Sequence, residues 1–341
     1  MTPLRMMVLS LTGNCNLACR YCYASEQDRN TMTWETARRA IDLAAASGAP
    51  FILQFSGGES LLALPLLHQI VDYIRTNRIR ARMDLQTNGT LLTEETAVFL
   101  RCARIGIGVS LDGRPAEHDA HRCYPDGRGS SMDVIAGIQC LGRRGIAIGL
   151  TCVVTAENVA ELSGVIEMAY YLGNVRRIGF DLLRAQGRGS AVRPAREEDM
   201  VRAMEQVFAL CRKFEKLTGR HISIAQEEQA ACLLQRTSDG FSHCHAMSGA
   251  GVHIDAAGRI YACASFVGDA RFLLGDVEHG IDVRRQETVA HEMQRAMAFC
   301  RACADFAGCG GACYARRAGQ GHPATSNAEC ALKRAAMRAV E

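Results

Sequence analysis

The sequence predicts an α/β protein: six strand–helix units followed by a small cysteine-rich region. Three observations carry this. Short apolar runs alternate with amphipathic stretches from residue 6 to residue 183. Gly and Cys become frequent after residue 235. The residues with distinctive chemistry fall just after the apolar runs, at Cys15, Gly57–Glu59, Asn88 and Ser110–Asp112. Units of this length imply parallel strands with right-handed crossovers. The ends of such strands are where barrels and doubly wound folds place their sites.

The elements follow in order. "MMVLSLT" (6–12) reads as a buried strand, and residues 33–47 as a helix capped by Thr31 or Thr33 and stopped at Gly48. "FILQF" (51–55) is the second strand, with a helix over 64–77. "RMDLQT" (82–87) precedes a helix near 93–103, and "IGIGVSL" (105–111) precedes one at 133–144. "IAIGLTCVV" (146–154) is followed by a helix near 158–172, and "RRIGFDLL" (176–183) is the sixth strand. Residues 186–194 read as a loop or linker, and 195–217 as an amphipathic helix packed on the main domain. "VHIDAAGRIYAC" reads as a hairpin turning at Ala257–Gly258. From residue 299 the chain is too rich in Cys and Gly to bury a large apolar core, and reads as a small domain folded around metal.

Composition excludes several classes. The 341 residues carry a net charge of +3, with no basic block interleaved with aromatics, so nucleic acid is not indicated. No apolar run reaches membrane-spanning length, and the N-terminus has no signal-peptide pattern. A cytoplasmic protein is expected. In a reducing compartment its sixteen cysteines point to metal ligation rather than disulfides.

Cys15, Cys19 and Cys22 form a CxxxCxxC cluster after the first strand, with Tyr21 just before the third Cys. A structural zinc site takes four ligands, and no fourth lies nearby. Three thiolates on an iron–sulfur cube leave one iron open to a substrate or cofactor. A second set comprises Cys300, Cys303, Cys309, Cys313 and Cys330, preceded by Cys244 and Cys263; thiolates there suit iron–sulfur clusters or zinc. The scattered Cys102, Cys123, Cys140, Cys152, Cys211 and Cys232 read as small buried hydrophobes.

Over residues 5–185 the sequence resembles the radical S-adenosylmethionine (SAM) superfamily. The three-cysteine motif is followed by "SGGES" (56–60), "QTNG" (86–89), "SLDG" (110–113) and "HDAHRCYPDGRGS" (118–130), each after a successive strand or helix. The resemblance implies a partial (β/α)6 TIM-like barrel and a 4Fe–4S cluster on Cys15, Cys19 and Cys22. Tyr21, Gly57, Gly58, Glu59, Asn88, Ser110, Asp112 and Arg122 are the implied SAM-binding residues. Glu59 would meet the SAM ammonium and Arg122 its carboxylate. The implied chemistry is reductive cleavage of SAM to a 5′-deoxyadenosyl radical.

The later cysteines resemble the SPASM extension of that superfamily, over about residues 236–335. By that resemblance Cys244, Cys263 and Cys313 hold one auxiliary 4Fe–4S cluster, and Cys300, Cys303, Cys309 and Cys330 hold another, making three clusters in all. Some relatives carry an eighth cysteine just before the Cys244 position. The nearest here is Cys232, so that cluster has Cys232, another ligand or an open iron as its fourth position. His243 and His245 flank Cys244 and read as ordinary loop histidines. The implied organisation is a core barrel at 1–185, a linker and bridging helix at 186–235, and an auxiliary-cluster domain at 236–341.

The resulting expectation is an enzyme that modifies a peptide or protein side chain by cross-linking, epimerisation or oxidation. A flavodoxin- or ferredoxin-type reductant is expected. The first strand begins by residue 6, without the peptide-recognition domain many relatives carry, so a separate recognition partner is a further expectation. The alternatives are an anaerobic sulfatase-maturase-like enzyme, a small-molecule dehydrogenase of the same superfamily, or a non-catalytic iron–sulfur electron carrier. "CASF" at 263–266 lacks the acidic residue that sulfatase-maturing relatives place after this cysteine. No catalytic acid or base stands out; Tyr23, Asp112, Asp181 and His253 are rim candidates that read first as structural.

Overall fold

The computed structural model describes residues 3–235, 241, 244–317 and 323–340, the first four of the last segment by backbone alone. Six strands form where the apolar runs lie: β1 (Met6–Thr12), β2 (Phe51–Gly57), β3 (Ala81–Thr87), β4 (Gly106–Ser110), β5 (Ile148–Val154) and β6 (Val175–Leu182). Each pairs in parallel with the next, beginning at Met6 opposite Ile52 and ending at Val154 opposite Leu182. The helices between them are α1 (Trp34–Ala45), α2 (Leu64–Thr76), α3 (Glu94–Ala103), α4 (Pro115–His121), α5 (Ser131–Arg143) and α6 (Ser163–Leu172). The result is a partial (β/α)6 barrel of the TIM type.

Local chemistry explains the element ends. Thr33 and Thr93 accept from the backbone N–H three residues on and so cap α1 and α3. Met7, Leu9, Leu53, Phe55, Leu85 and Val109 are completely or almost completely buried between strands and helices, as sheets covered on both faces require.

The sheet continues at both edges. After α7 (Glu197–Thr218), the short β7 (Ser223–Ile224) adds to β6 and leads into α8 (Ala225–Leu234). On the other side β8 (Gly251–Ile254) lies parallel to β1. It turns through Asp255–Gly258 into β9 (Arg259–Tyr261), followed by the hairpin β10 (Leu273–Asp276) and β11 (Gly280–Ile281), then α9 (Val283–Ala296). Asp255 Oδ1 accepts from both the Ala257 and Arg259 N–H groups and fixes the first turn.

The structure departs from the sequence expectations in three places. The stretch at 186–194 is no free spacer. Gly187–Ala191 makes a 3₁₀ turn packed on the loop after β1, with the Arg188 N–H on Ser25 Oγ at 2.9 Å. The chain after 299 does bury apolar surface. Its helix Pro323–Val340 inserts Ala328, Ala331, Leu332, Ala335 and Ala336 into the core, against α7 and α8. Of the six scattered cysteines, Cys140 and Cys152 are buried, Cys123 and Cys211 half-buried, but Cys102 and Cys232 are exposed.

Candidate active site

At the C-terminal ends of the barrel strands lies a cavity of about 520 Å³. Cys15, Cys19, Cys22, Tyr21, Gly57, Gly58, Asn88, Ser110 and Arg122 all line it. They come from four different strand ends, so the sheet order alone brings them together.

The cysteine loop is pinned from three sides. The N–H groups of Ala18 and Arg20 bond to the carbonyls of Cys123 and His121 at 2.7 and 2.8 Å. Arg188 Nε donates to the Cys19 carbonyl at 2.8 Å. The end of β2 passes close beneath: Gly58 N–H bonds to the Thr12 carbonyl at 2.7 Å, and a Cβ on Gly58 would stand 2.2 Å from the Asn14 oxygen. Gly57, at φ +132°, takes a conformation that only glycine adopts readily. The glycine pair is thus required by the close approach of two strand ends.

Two predicted contacts sit behind the cavity wall. Glu59 is 1% exposed. Its carboxylate accepts from Asn88 N–H (2.7 Å), Thr87 Oγ1 (2.6 Å) and Leu61 N–H (3.1 Å). Burial pushes its pKa up, against those three hydrogen bonds. It ties β2 to β3 rather than facing a ligand. Asp112 is equally buried and accepts from Tyr21 OH, Arg122 Nε (3.0 Å) and Val153 N–H (3.0 Å). Burial opposes its ionisation, but Arg122, His118 and these donors outweigh it and hold the carboxyl below the usual range. Arg122 also stacks over Tyr21 at 5.2 Å.

His118 and Ser130, the two ends of the 118–130 segment, complete this wall. The Asp112 N–H donates to His118 Nδ1 at 3.3 Å. That acceptor fixes the neutral tautomer, so Nε2–H donates to Ser130 Oγ (3.0 Å), which donates to the Arg122 carbonyl (2.8 Å). Burial lowers the His118 pKa to about 4.

The three thiols fit an iron–sulfur cluster. Cys15 is exposed and Cys19 and Cys22 are half-buried; burial pushes the Cys19 thiol up to about 12, Arg122 opposes this, and neighbouring Cys15 and Cys22 add to it. A metal removes that proton outright. The Leu17 N–H approaches Cys15 Sγ at 3.4 Å, the kind of contact that tunes cluster potentials. Asn88 Nδ2, bonded to Asn16 Oδ1 at 2.9 Å, lies 3.9 Å from the same sulfur. Gln86 Nε2 donates to Ser110 Oγ at 3.1 Å, leaving the Ser110 hydroxyl proton for a ligand.

The second centre adjoins the first. Burial raises the Cys244 thiol to about 12, and Cys313 and Cys263 lie near enough to add to this; burial also raises Cys313, with Cys263 adding. The Cys313 N–H donates to Glu329 at 3.1 Å, and Arg316 links Glu329 to Asp181 at the end of β6. Tyr23 and Arg184 stand between the two centres. The Arg184 guanidinium stacks over the Tyr23 ring at 4.5 Å, and Asp181, Tyr23 and Arg184 all line the cavity. His253 lies outside it, bonded to Ser10 in the core, with burial lowering its pKa to about 4. Of the remaining cysteines, Cys309 lies near enough to Cys330 on the terminal helix to feel its charge, and Cys330 feels that of Cys300, while Cys303 lies 3.8 Å from Asp305. Among the described residues no group of three or more His, Cys, Asp or Glu is arranged to hold a metal ion as it stands. A lone zinc would need its sulfurs about 3.8 Å apart, from a Zn–S bond of about 2.3 Å. A cube places each thiolate on a different iron and takes them more widely spaced. Cys232 is exposed on α8. His243 lies outside the described residues, and His245 begins the turn after Cys244.

A (β/α)6 barrel with three thiols and a glycine pair on its C-terminal rim defines a class of cluster-dependent enzymes. A Radical SAM superfamily profile matches residues 9–169, and the chain belongs to that superfamily. It is 31% identical over 78% of its length to the uncharacterized protein MJ0907 of Methanocaldococcus jannaschii, covering 86% of it. It is 32% identical over 54% of its length to the Fe-coproporphyrin III synthase of Methanosarcina barkeri, of which it spans 45%. To the mycofactocin maturase MftC of Mycobacterium tuberculosis it is 29% identical over 92% of its length and 79% of that protein. Among solved structures, anSMEcpe with bound AdoMet superposes at a TM-score of 0.80, with 20% identity over 98% of this chain and 96% of that one. Streptococcus suis SuiB bound to precursor peptide SuiA gives 0.70, with 14% identity over 95% and 75%. At these identities the structural likeness is one of fold. No helix among the described residues is long and apolar enough to cross a membrane.

Proposed function

We propose that this radical SAM enzyme cleaves S-adenosylmethionine reductively and modifies a side chain of a peptide or protein. The observation that carries it is the single cavity shared by the three-thiol loop, the glycine pair and the Asp181–Arg184 wall. Cys15, Cys19 and Cys22 would hold the 4Fe–4S cluster, and Gly57, Gly58, Asn88, Ser110 and Arg122 would face SAM. Bound together, these groups supply the 5′-deoxyadenosyl radical that removes a hydrogen atom from substrate. The chain itself keeps the cysteine loop rigid, presents the Ser110 hydroxyl, and fixes Arg122 through Asp112. Tyr21 acts through the same carboxylate, as a positioning residue.

The cysteine sets around Cys263 and Cys309 would hold two auxiliary clusters, within a domain organisation of 1–185, 186–235 and 236–341. Similarity to MftC, named as a maturase, and the fold shared with SuiB, seen with its precursor peptide, support a peptide substrate. A cytoplasmic setting, a flavodoxin- or ferredoxin-type reductant and a separate recognition partner complete the reading. Similarity to Fe-coproporphyrin III synthase favours a second reading, a small-molecule substrate.

The test is SAM turnover by anaerobically reconstituted, reduced protein. It should form 5′-deoxyadenosine and contain about twelve irons. Cys15→Ala, Cys19→Ala or Cys22→Ala should abolish turnover while auxiliary iron remains. Iron without deoxyadenosine would leave an electron carrier instead.

A further inference from the structure

The cavity is lined by four arginines, Arg29, Arg122, Arg184 and Arg188, and among the described residues by one carboxylate, Asp181. The ligands expected there do not balance this. A cluster on three thiolates is weakly negative, and SAM, with its sulfonium, ammonium and carboxylate, is net positive. The excess of positive charge is left for substrate.

The arginines differ in how far they are already committed. Arg122 meets both oxygens of Asp112, at 3.0 and 3.5 Å. Arg188 is held on the Cys19 carbonyl. Arg184 makes one hydrogen bond, to Asp181 Oδ2 at 3.2 Å, while its buried Nε finds no partner. Asp181 is not dependent on it, since Arg316 holds the other oxygen. A guanidinium has five N–H donors in a planar fork that matches a carboxylate. The 23% of the Arg184 side chain that stays exposed belongs to a residue of the cavity wall, between the cysteine loop and the Cys263 centre.

We propose that Arg184 binds a substrate carboxylate, so that the residue modified is the C-terminal residue of a peptide or lies beside an acidic side chain. This rests on the peptide-modifying reading above and narrows it. The carboxylate would dock in the fork beside Tyr23, with the peptide backbone running towards the open rim at Arg29.

The probes are three acetylated tripeptides: Ala-Ala-Ala with a free C-terminus, the same peptide amidated, and amidated Ala-Glu-Ala. Their binding to the reconstituted, SAM-loaded protein is measured anaerobically by calorimetry. At least one acidic probe should bind at least about tenfold tighter than the neutral one, and the stronger of the two identifies the source of the carboxylate. Arg184→Met should erase the preference and Arg184→Lys should keep part of it, both at wild-type iron content. Equal binding of all three probes, or no binding of any, overturns the proposal. So does a preference that survives in Arg184→Met, even if the cluster EPR signal shifts, because that pattern belongs to a counter-ion of the Cys263 centre. Deoxyadenosine formation by the same wild-type preparation separates the two readings: its absence sinks the radical chemistry, whereas its presence with no acid preference sinks only this assignment.

Discussion

The two thiol-bearing regions are built in opposite ways. The loop with Cys15, Cys19 and Cys22 hangs from the end of a strand in a sheet buried on both faces, and its anchors are hydrogen bonds to the end of α4 and to Arg188. The segment with Cys300, Cys303, Cys309 and Cys313 is made of turns and helices of four residues. Strand ends hold a site in place without metal. Turns of that size cannot bury enough surface to do so, and need the metal or a packed helix to order them. The lesson is that one chain can carry a preformed site and a ligand-dependent one side by side.

The largest effect expected from this contrast is on metal removal. Chelation of the reconstituted protein should leave amide protection of β1–β6 unchanged, while residues 298–317 exchange rapidly. The terminal helix should retain partial protection, because Leu332 and its alanine neighbours pack on α7 and α8 without metal. Hydrogen exchange with mass spectrometry reads this directly. Uniform loss of protection along the chain would erase the distinction drawn here.

The next effect is steric. Gly58→Ala places a methyl group 2.2 Å from the Asn14 oxygen and 2.8 Å from that of Gly13, both backbone atoms. We expect a loss of about 3 kcal/mol, the upper end of the overpacking range, with loss of the first cluster's iron. The auxiliary iron should be retained. Urea midpoints and iron counts on the same samples test both halves of the statement.

How much of this was legible in the sequence depends on the force involved. The six strands could be read because continuous apolar runs announce strands buried on both faces. The rim residues could be read because they follow those runs. The terminal helix was missed because its buried stripe is alanine, at residues 328, 331, 335 and 336, which carries little hydrophobic signal. The turn at Gly187–Ala191 looked like a spacer because its bonds to Ser25 and Cys19 span more than 160 positions. Arg184 and Arg316 are invisible for the same reason: their partners are set by tertiary placement, not spacing. Glu59 and Asp112 show the converse limit. Their positions beside the site could be read, but not that their oxygens would be taken by the protein's own donors.

Acid should act on the preformed site through His118. Its folded pKa of about 4 lies below the ordinary 6.5, so the unfolded chain binds the proton first. Stability should therefore fall as pH drops from 6.5 to about 4 and level off below that, by about 3 kcal/mol for this group. Protonation breaks the bond from Asp112 N–H and loosens the wall behind Arg122. His253, with the same depressed pKa, adds a similar slope. His118→Asn should remove roughly half of the pH dependence seen in denaturant titrations between those limits. An unchanged slope would mean that His118 is already charged in the fold.

The smallest effect concerns Tyr21, and it decides whether the wall or the ligand needs that residue. The Tyr21 ring lines the cavity, but its hydroxyl donates to Asp112, which does not. Tyr21→Phe keeps the ring and its stacking under Arg122 and removes one donor from a carboxylate that retains Arg122 and the Val153 N–H. No buried group is left unpartnered, so the cost should be about 1.5 kcal/mol, the low end for a hydrogen bond to a charge. SAM affinity should change less than about twofold, because no polar atom facing the cavity is lost. Equilibrium dialysis with the reduced and oxidised protein measures this. A tenfold weaker affinity at unchanged stability would move Tyr21 from the supporting wall to direct contact with the ligand. The preformed rim would then include the hydroxyl as well as the ring.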